Sequence, residues 1–382
     1  MKYYLFMLFS MIFIWSCGGK SSQEQNPNTT IDEDSFRIYS LDLTAKKKPL
    51  KELVESIELI QLEETSRSLL SFVRSLKWID NQFYLLGLYD IFVFDENGRF
   101  KERFNRQGEG PEEHGHISGF WVDNDELYLY RASRVYHYDA RRNHVATHQL
   151  GFHNLTLTPY RDGYVGNTEG VWVQNDTTAY RITKYNSDFE STDFLVPFSS
   201  KRANYRYDFV KSFEEYKDGL TFIPSKNDTM FWYKNGEVQA LMKFDFASGF
   251  YWNEDWQSKD FRQLSKALRD ENNQKVINIQ HALQDEWVHL NLLIGNSIYI
   301  RMLLNRTTGQ YFCLALPTQL DSWQFRDFYQ KHVGLVTLPS DQVYDLISGL
   351  DESQYSFREG TSLEDIESSE NPVIAWVKFK MP

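Results

Sequence analysis

Four places in this 382-residue chain carry residue types that could do chemistry. The first is Glu112-Glu113-His114-Gly115-His116, two carboxylates beside two imidazoles. Side chains two apart on a strand share a face, and a divalent metal accepts imidazole and carboxylate ligands from such a face. The competing reading is a polar loop. The second place is His144 and His148, whose spacing on a strand again puts both rings on one side. The third is the aromatic cluster Phe250, Tyr251, Trp252 and Trp256, set in an irregular stretch where exposed rings would stack on sugar faces or anchor a partner. The fourth is Asp95 and Asp139, which end equivalent strand-like runs; each either caps a turn or joins a polar ring around a central channel. The sequence has no HExxH, no GxSxG, no P-loop and no GxGxxG following a strand. Asp32-Glu33-Asp34 lacks the spacing of a calcium-binding EF-hand loop. These residues therefore name no reaction.

The two cysteines have separate explanations. Met1-Lys2 is a short basic start, and Tyr3–Trp15 is an apolar run. In a helix that run rises only about 20 Å, short of a bilayer core of roughly 30 Å, so it reads as the apolar part of a secretory signal. The residues after it, Ile14-Trp15-Ser16-Cys17-Gly18-Gly19, are similar to a bacterial lipobox, with Trp15 an unusual occupant. That similarity implies cleavage before Cys17 and lipid on its thiol, with residues 1–16 as signal peptide and 17–35 as a polar tether. Cys313 lies in an apolar strand-like run with no paired histidine motif, the setting of a buried core thiol.

Composition limits the rest. The chain is 41% hydrophobic and 16% aromatic, which excludes a disordered or low-complexity protein. Two cysteines cannot build a disulfide scaffold. A formal charge of −12 speaks against wrapping nucleic acid, whose phosphates require clustered Lys and Arg.

The elements that must position the candidate residues are short strands. Ile57–Leu62, Phe72–Ile79, Phe83–Leu88, Ile91–Phe94 and Arg99–Phe104 follow one another, and Asn97-Gly98 predicts a two-residue hairpin with both turn residues at positive φ. A second cycle begins at Ile117, and Trp78…Asp95 aligns with Trp121…Asp139 at an offset of about 44 residues, the period of a four-stranded propeller blade. Weaker echoes continue to the C-terminus: from about residue 50 the chain divides into six units of about 55 residues, allowing for insertions, which makes residues 36–382 one propeller domain. The expected fold is all-β: a six-bladed β-propeller with four-stranded blades. Within Glu254–Asn272, Phe261, Leu264 and Leu268 lie at helical spacing, which predicts an inserted surface helix. Ser340–Gly349 is a shorter helical segment with Ser340 as its N-cap, followed by an acidic linker. Pairing of Ile57–Leu62 with Val373–Phe379 would close the ring.

Phe94-Asp95-Glu96-Asn97-Gly98-Arg99-Phe100, followed by Gly108-Glu109-Gly110-Pro111-Glu112-Glu113, resembles the signature of six-bladed, NHL-like propeller lipoproteins of Gram-negative envelopes. Their opening strand, a mid-chain Asp-Thr motif and the terminal strand also have counterparts here, at Ile57, Asn227 and Asn371. Glu112, His114 and Ala247 depart from the family pattern. The resemblance implies an outer-membrane lipoprotein and places Glu112–His116 in an interblade loop. It implies no substrate. The expected function is ligand or partner binding: a small molecule, a glycan or an envelope protein. Tyr251, Trp252, Trp256, Glu112, Glu113, His114 and His116 are the candidate contacts, with no resident cofactor and no catalytic residue assigned. The alternative is a metal-dependent hydrolase or lyase, since related propellers include lactonases and lyases with a channel metal.

Overall fold

The computed structural model describes residues 35–110, 112–172, 179–198, 213–252, 259–270, 273–284, 286–295, 298–316, 324–328 and 333–380. Cys17 and the residues expected to form the signal and most of the tether lie outside them, as does Trp256. The unit Asp34–Pro382 is compact in its own right. It opens with β1 (Arg37–Ser40), β2 (Lys47–Pro49), α1 (Leu50–Leu53) and β3 (Val54–Gln61). Blade one is β4 (Ser75–Ile79), β5 (Gln82–Leu86), β6 (Ile91–Asp95) and β7 (Phe100–Phe104). Blade two is β8 (Gly119–Asp123), β9 (Glu126–Arg131), β10 (Arg134–Tyr138) and β11 (His144–Gln149). Blade three is β12 (Thr156–Tyr160), β13 (Gly163–Trp172), β14 (Ala179–Asn186) and β15 (Ser191–Phe198). Blade four is β16 (Glu214–Tyr216), β17 (Gly219–Phe222), β18 (Thr229–Lys234) and β19 (Glu237–Asp245). Helix α2 (Phe261–Leu268) precedes blade five: β20 (Val276–Gln284), β21 (Trp287–Ile294), β22 (Ile298–Asn305) and β23 (Tyr311–Ala315). Blade six takes β24 (Gln324–Phe328) and β25 (Val333–Leu338); α3 (Val343–Ser348), β26 (Tyr355–Phe357) and α4 (Leu363–Glu367) then lead to β27 (Val373–Phe379).

The six sheets are the blades of a propeller: blades one to five are four-stranded meanders, and blades four, five and six each carry an added fifth strand on the outer edge. Neighbouring blades meet through their first strands, as β4 meets β24 and β16 meets β20. Blade six is the exception in connectivity. Its order is β24-β25-β27-β3-β26, so its fourth strand comes from the N-terminal end of the domain. Strand β3 pairs antiparallel with β27, Gln61 opposite Val373, as the sequence led us to expect. The residues before β3 form a strap. Strand β1 lies parallel on the outer strand of blade four and β2 parallel on that of blade five. Tyr39 Oη and Arg37 Nη1 both donate to the carbonyl of Arg306, at 2.8 and 2.9 Å, which fixes the strap across two blades.

The core is divided among the interblade faces. Phe83 and Leu85 pack against Ile60, Leu335 and Ile374 of blade six, while Tyr84 and Leu86 pack against Phe120, Leu127 and Tyr136 of blade two. A strand buried on both faces reads as a continuous apolar run, and all of Trp287–Ile294 is buried. Between blades two and three the seam is aromatic: Trp121, Tyr128 and His137 stack across adjacent strands at 5.1 and 4.2 Å. Cys313 is a free, buried thiol in the seam of blades four and five.

Several boundaries differ from the sequence reading. Strand β4 begins at Ser75, so Phe72 belongs to the preceding loop. At Asn97-Gly98 only Gly98 has positive φ (+78°), and the register of β6 with β7 shifts beside it, so the turn carries a bulge. Among the described residues, the two-residue turns with both φ positive are instead Asp80-Asn81, Asn124-Asp125 and Asn235-Gly236, the last an Asn-Gly pair. Ser340 is not a cap: a 3-10 turn precedes α3, and the Ser340 hydroxyl donates to the Ser369 carbonyl. The acidic segment after α3 is no linker, because β26 adds a parallel fifth strand outside β3.

Gly98 also locks blade one to the closing blade. A Cβ there would lie 2.0 Å from the Gln61 carbonyl oxygen, and Glu63 N donates to Gly98 O at 2.8 Å. Gly236 has a similar φ of +87° but open space around it. Gly236→Ala should cost about 1 kcal/mol, the price of positive φ alone, and Gly98→Ala clearly more. Equal urea midpoints for the two variants would contradict the interlock. Removing residues 371–382 should abolish the cooperative melt of the whole domain, because blade six would lose a central strand.

Candidate functional site: a cavity on blade one

The Glu112–His116 constellation does not converge. The segment is a loop, not a strand, so alternate residues need not share a face. His114 is buried (1% exposed) and stacks on Phe104 at 6.0 Å. Its Nε2 accepts from the Arg106 backbone N–H at 3.3 Å, and its Nδ1 lies 3.0 Å from the Gly115 carbonyl, so both nitrogens are engaged within the loop. Burial lowers its pKa. Glu113 folds back to accept from Gly110 N at 2.8 Å, while Glu112 is exposed, 3.7 Å from Arg106. His116 is exposed and meets Tyr89 edge-on at 6.3 Å. The motif builds an ordered interblade loop.

His144 and His148 also part. The register of β10 with β11 shifts between Ala146 and His144, so His144 lies opposite Tyr138 whereas His148 lies opposite Val135. One extra residue puts the two rings on opposite faces. Asp139 caps its turn, accepting from the backbone N–H of Arg141 and of Asn143 at 2.9 and 2.8 Å. Hydrogen bonds from Asn143 hold its carboxyl below the usual range. Asp95 does the same for Asn97 and Arg99.

The aromatic cluster requires the largest correction. Tyr251 and Trp252 are 8% and 6% exposed, not surface rings. Helix α2 covers them with Leu264 and Leu268, and Trp252 Nε1 donates to the Ile277 carbonyl at 2.6 Å. The insertion that made the stretch look irregular is what buries it. Trp256 lies outside the described residues.

Among the described residues, the cavity with the most exposed apolar lining is elsewhere, on blade one. Residues 62–74, which carry the chain from β3 to β4, and the β5–β6 turn enclose a cavity of about 340 Å³. Leu69, Phe72 and Leu88 line it and remain 45%, 45% and 37% exposed, an uncommon concentration of large apolar side chains in contact with water. Buried Leu70 and Phe92 contribute to its wall. One ion pair is set into this lining: Arg103 Nε donates to Asp90 Oδ1 at 2.8 Å, and Asn105 donates to the same oxygen at 2.6 Å. The Arg103 guanidinium sits 5.3 Å from the Phe92 ring centroid. Among the described residues no further hydrogen bond engages its Nη groups. Small-molecule sites combine an apolar lining with a few placed polar groups in this way.

The cavity is held in shape from behind by Asn371. This side chain is 1% exposed; its Oδ1 accepts from Leu70 N at 2.8 Å and its Nδ2 donates to the Glu63 and Ser68 carbonyls at 3.1 Å. Ser68 adds a bond from its hydroxyl to Glu63 O at 2.7 Å. No catalytic motif marks these residues in sequence. The signal in the sequence is the apolar run at Leu69, Leu70 and Phe72, which has strand composition without strand alternation. Asn371→Ala should leave the buried Leu70 N–H without its partner and destabilise the domain by about 2–4 kcal/mol in urea unfolding. A loss below about 0.5 kcal/mol would contradict its role.

Far from the cavity, His289 is buried in blade five. Burial, with Arg301 nearby, lowers its pKa to about 3. The unfolded chain takes up this proton near pH 6.5 and the folded chain only near pH 3. Stability should therefore fall as pH falls through that window, by about 1.4 kcal/mol per pH unit from this group. His289→Phe should lessen the slope of stability against pH there by one proton; an unchanged slope would refute the assignment.

Comparison with known proteins agrees with the fold. A Bacteroides fragilis protein described as exported aligns at 15% identity with a TM-score of 0.73, over 90% of this chain and all of the other. At that identity the likeness is one of fold alone. The N-terminal domain of Nup159 aligns at 10% identity with a TM-score of 0.41, over 79% of this chain and 80% of its own. The extracellular domain of a two-component system from B. thetaiotaomicron aligns at 11% identity with a TM-score of 0.42, over 73% of this chain and 32% of its own. No curated protein matches the sequence. The family model described as a domain of unknown function, DUF4934, matches residues 38–378, from β1 into β27, and the chain belongs to that family.

Proposed function

We propose that this chain is a lipid-anchored binding module of the bacterial envelope, with its contact site in the blade-one cavity and no catalytic step. The carrying observation is the pairing of exposed Leu69, Phe72 and Leu88 with a loop held rigid by Asn371. Exposed apolar groups cost solubility, and a fixed backbone lowers the ordering entropy of binding; together they favour recognition. The ligand is an apolar group, either of a small molecule or of a partner's side chain, with a polar end directed to Arg103. The lipobox-like residues Ile14–Gly19 and the resemblance to NHL-like envelope lipoproteins support the location. The B. fragilis protein of similar fold, described as exported, is in keeping with it.

Two experiments separate site from address. An environment-sensitive apolar dye should bind the purified protein saturably at one site. Leu88→Glu should weaken that binding at least about tenfold without lowering the melting temperature, because the side chain is exposed. Dye binding that is unaffected in the variant would place the site elsewhere. In cells, Cys17→Ala should abolish acylation and release the protein from membranes, whereas unchanged membrane attachment would refute the anchor.

A further inference from the structure

The face of α2 that does not cover the core is cationic. Arg262, Lys266 and Arg269 are exposed and fall at i, i+4 and i+7, one side of the helix. None of the three has an ion pair or hydrogen bond from its side chain among the described residues. Like charges at such spacings destabilise a helix, and this chain carries a formal charge of −12, so acidic residues to pair with them are plentiful in the sequence. A solvated helix would gain by alternating signs. Instead the stripe borders a groove of about 660 Å³ lined by these three residues with Ser265 and Asp270. The opposite side of the helix is fixed: Leu264 and Leu268 are buried against Tyr251 and Trp252, and Asp260 and Gln263 form a reciprocal cap at its N-terminus. The cations are thus displayed on a rigid support, spread over about 10 Å along the axis.

We propose that this groove binds a multiply charged oxyanion of the phosphate type. Arg262 and Arg269 would supply planar donor pairs, Lys266 a point charge between them, and the Ser265 hydroxyl a neutral donor. Asp270, also in the lining, opposes any anion, and the three cations outweigh its single charge. The spread of the cations suits two or more phosphoryl groups rather than one. Such groups come either from a soluble compound or from a lipid surface. This site is independent of the blade-one cavity and of the proposed anchor.

The test uses the purified protein and the triple variant Arg262→Gln, Lys266→Gln, Arg269→Gln. Inorganic tripolyphosphate should raise the melting temperature of the native protein and bind in calorimetry, and the triple variant should bind on the order of 100-fold more weakly. In a second arm, vesicles of phosphatidylcholine with phosphatidylglycerol replace tripolyphosphate. Sedimentation of the native protein, but not the variant, with these vesicles would assign a lipid source; binding of tripolyphosphate alone would assign a soluble one. Without any anion the variant should melt no lower than the native protein, since only repulsion has been removed. A lower melting point would show that the cations have structural partners and would overturn the proposal. So would equal tripolyphosphate affinity in both proteins, or binding by neither probe.

Discussion

The antiparallel pairing of β3 with β27 is the constraint on which the rest depends. A propeller divides its apolar core among interblade seams, and each seam needs a blade on both sides. If the ends of the chain part, blade six loses its outer strand and the seams on either side of it open. The segments around this pair add to its hold. The strap lays β1 and β2 on blades four and five before the chain enters β3, and β26 covers the outer edge of β3. That edge would otherwise be an open template for another strand. A long-range closure of this kind brings together residues about 300 positions apart, at a loop-closure cost that only the finished seams offset.

The candidate surface on blade one grows out of the same closure. Asn371 precedes β27, and its side chain reaches the loop that follows β3, so the cavity wall is built on the joint of the ring. Gly98 brings the β6–β7 turn against the end of β3, adding a second contact between blade one and the closing blade. The order of the loop is therefore tied to fold topology, because the Asn371 side chain bonds its backbone at Glu63, Ser68 and Leu70. Helix α2 follows a different logic. It is an insertion whose apolar side seals the start of blade five and whose outer side is free to carry charge.

What was legible in the sequence was the repeat. Trp78 and Trp121, Asp95 and Asp139, and the paired turn residues recur because each blade solves the same packing problem with the same strand lengths. Ring closure was legible for a related reason: a terminal apolar strand with no local partner must find a distant one. The candidate surface was not. Tyr251 and Trp252 look exposed because their neighbours in sequence are polar, but α2 folds over them, a tertiary event that no local pattern records. His144 and His148 are separated by a bulge, and a single extra residue inverts any argument from strand alternation. Leu69 and Phe72 carry the strand composition without the strand, since their loop is ordered by Asn371, which lies some 300 residues away.

Native-state hydrogen exchange, resolved to single amides, tests the central claim most directly: the cavity exists because the ring is closed there. The Leu70 amide should exchange as slowly as the interior amides of β27, in one shared opening, because its acceptor is the Asn371 side chain at the start of that strand. Exchange at Leu70 orders of magnitude faster than in β27 would show that the loop moves independently of the closure and would contradict the account.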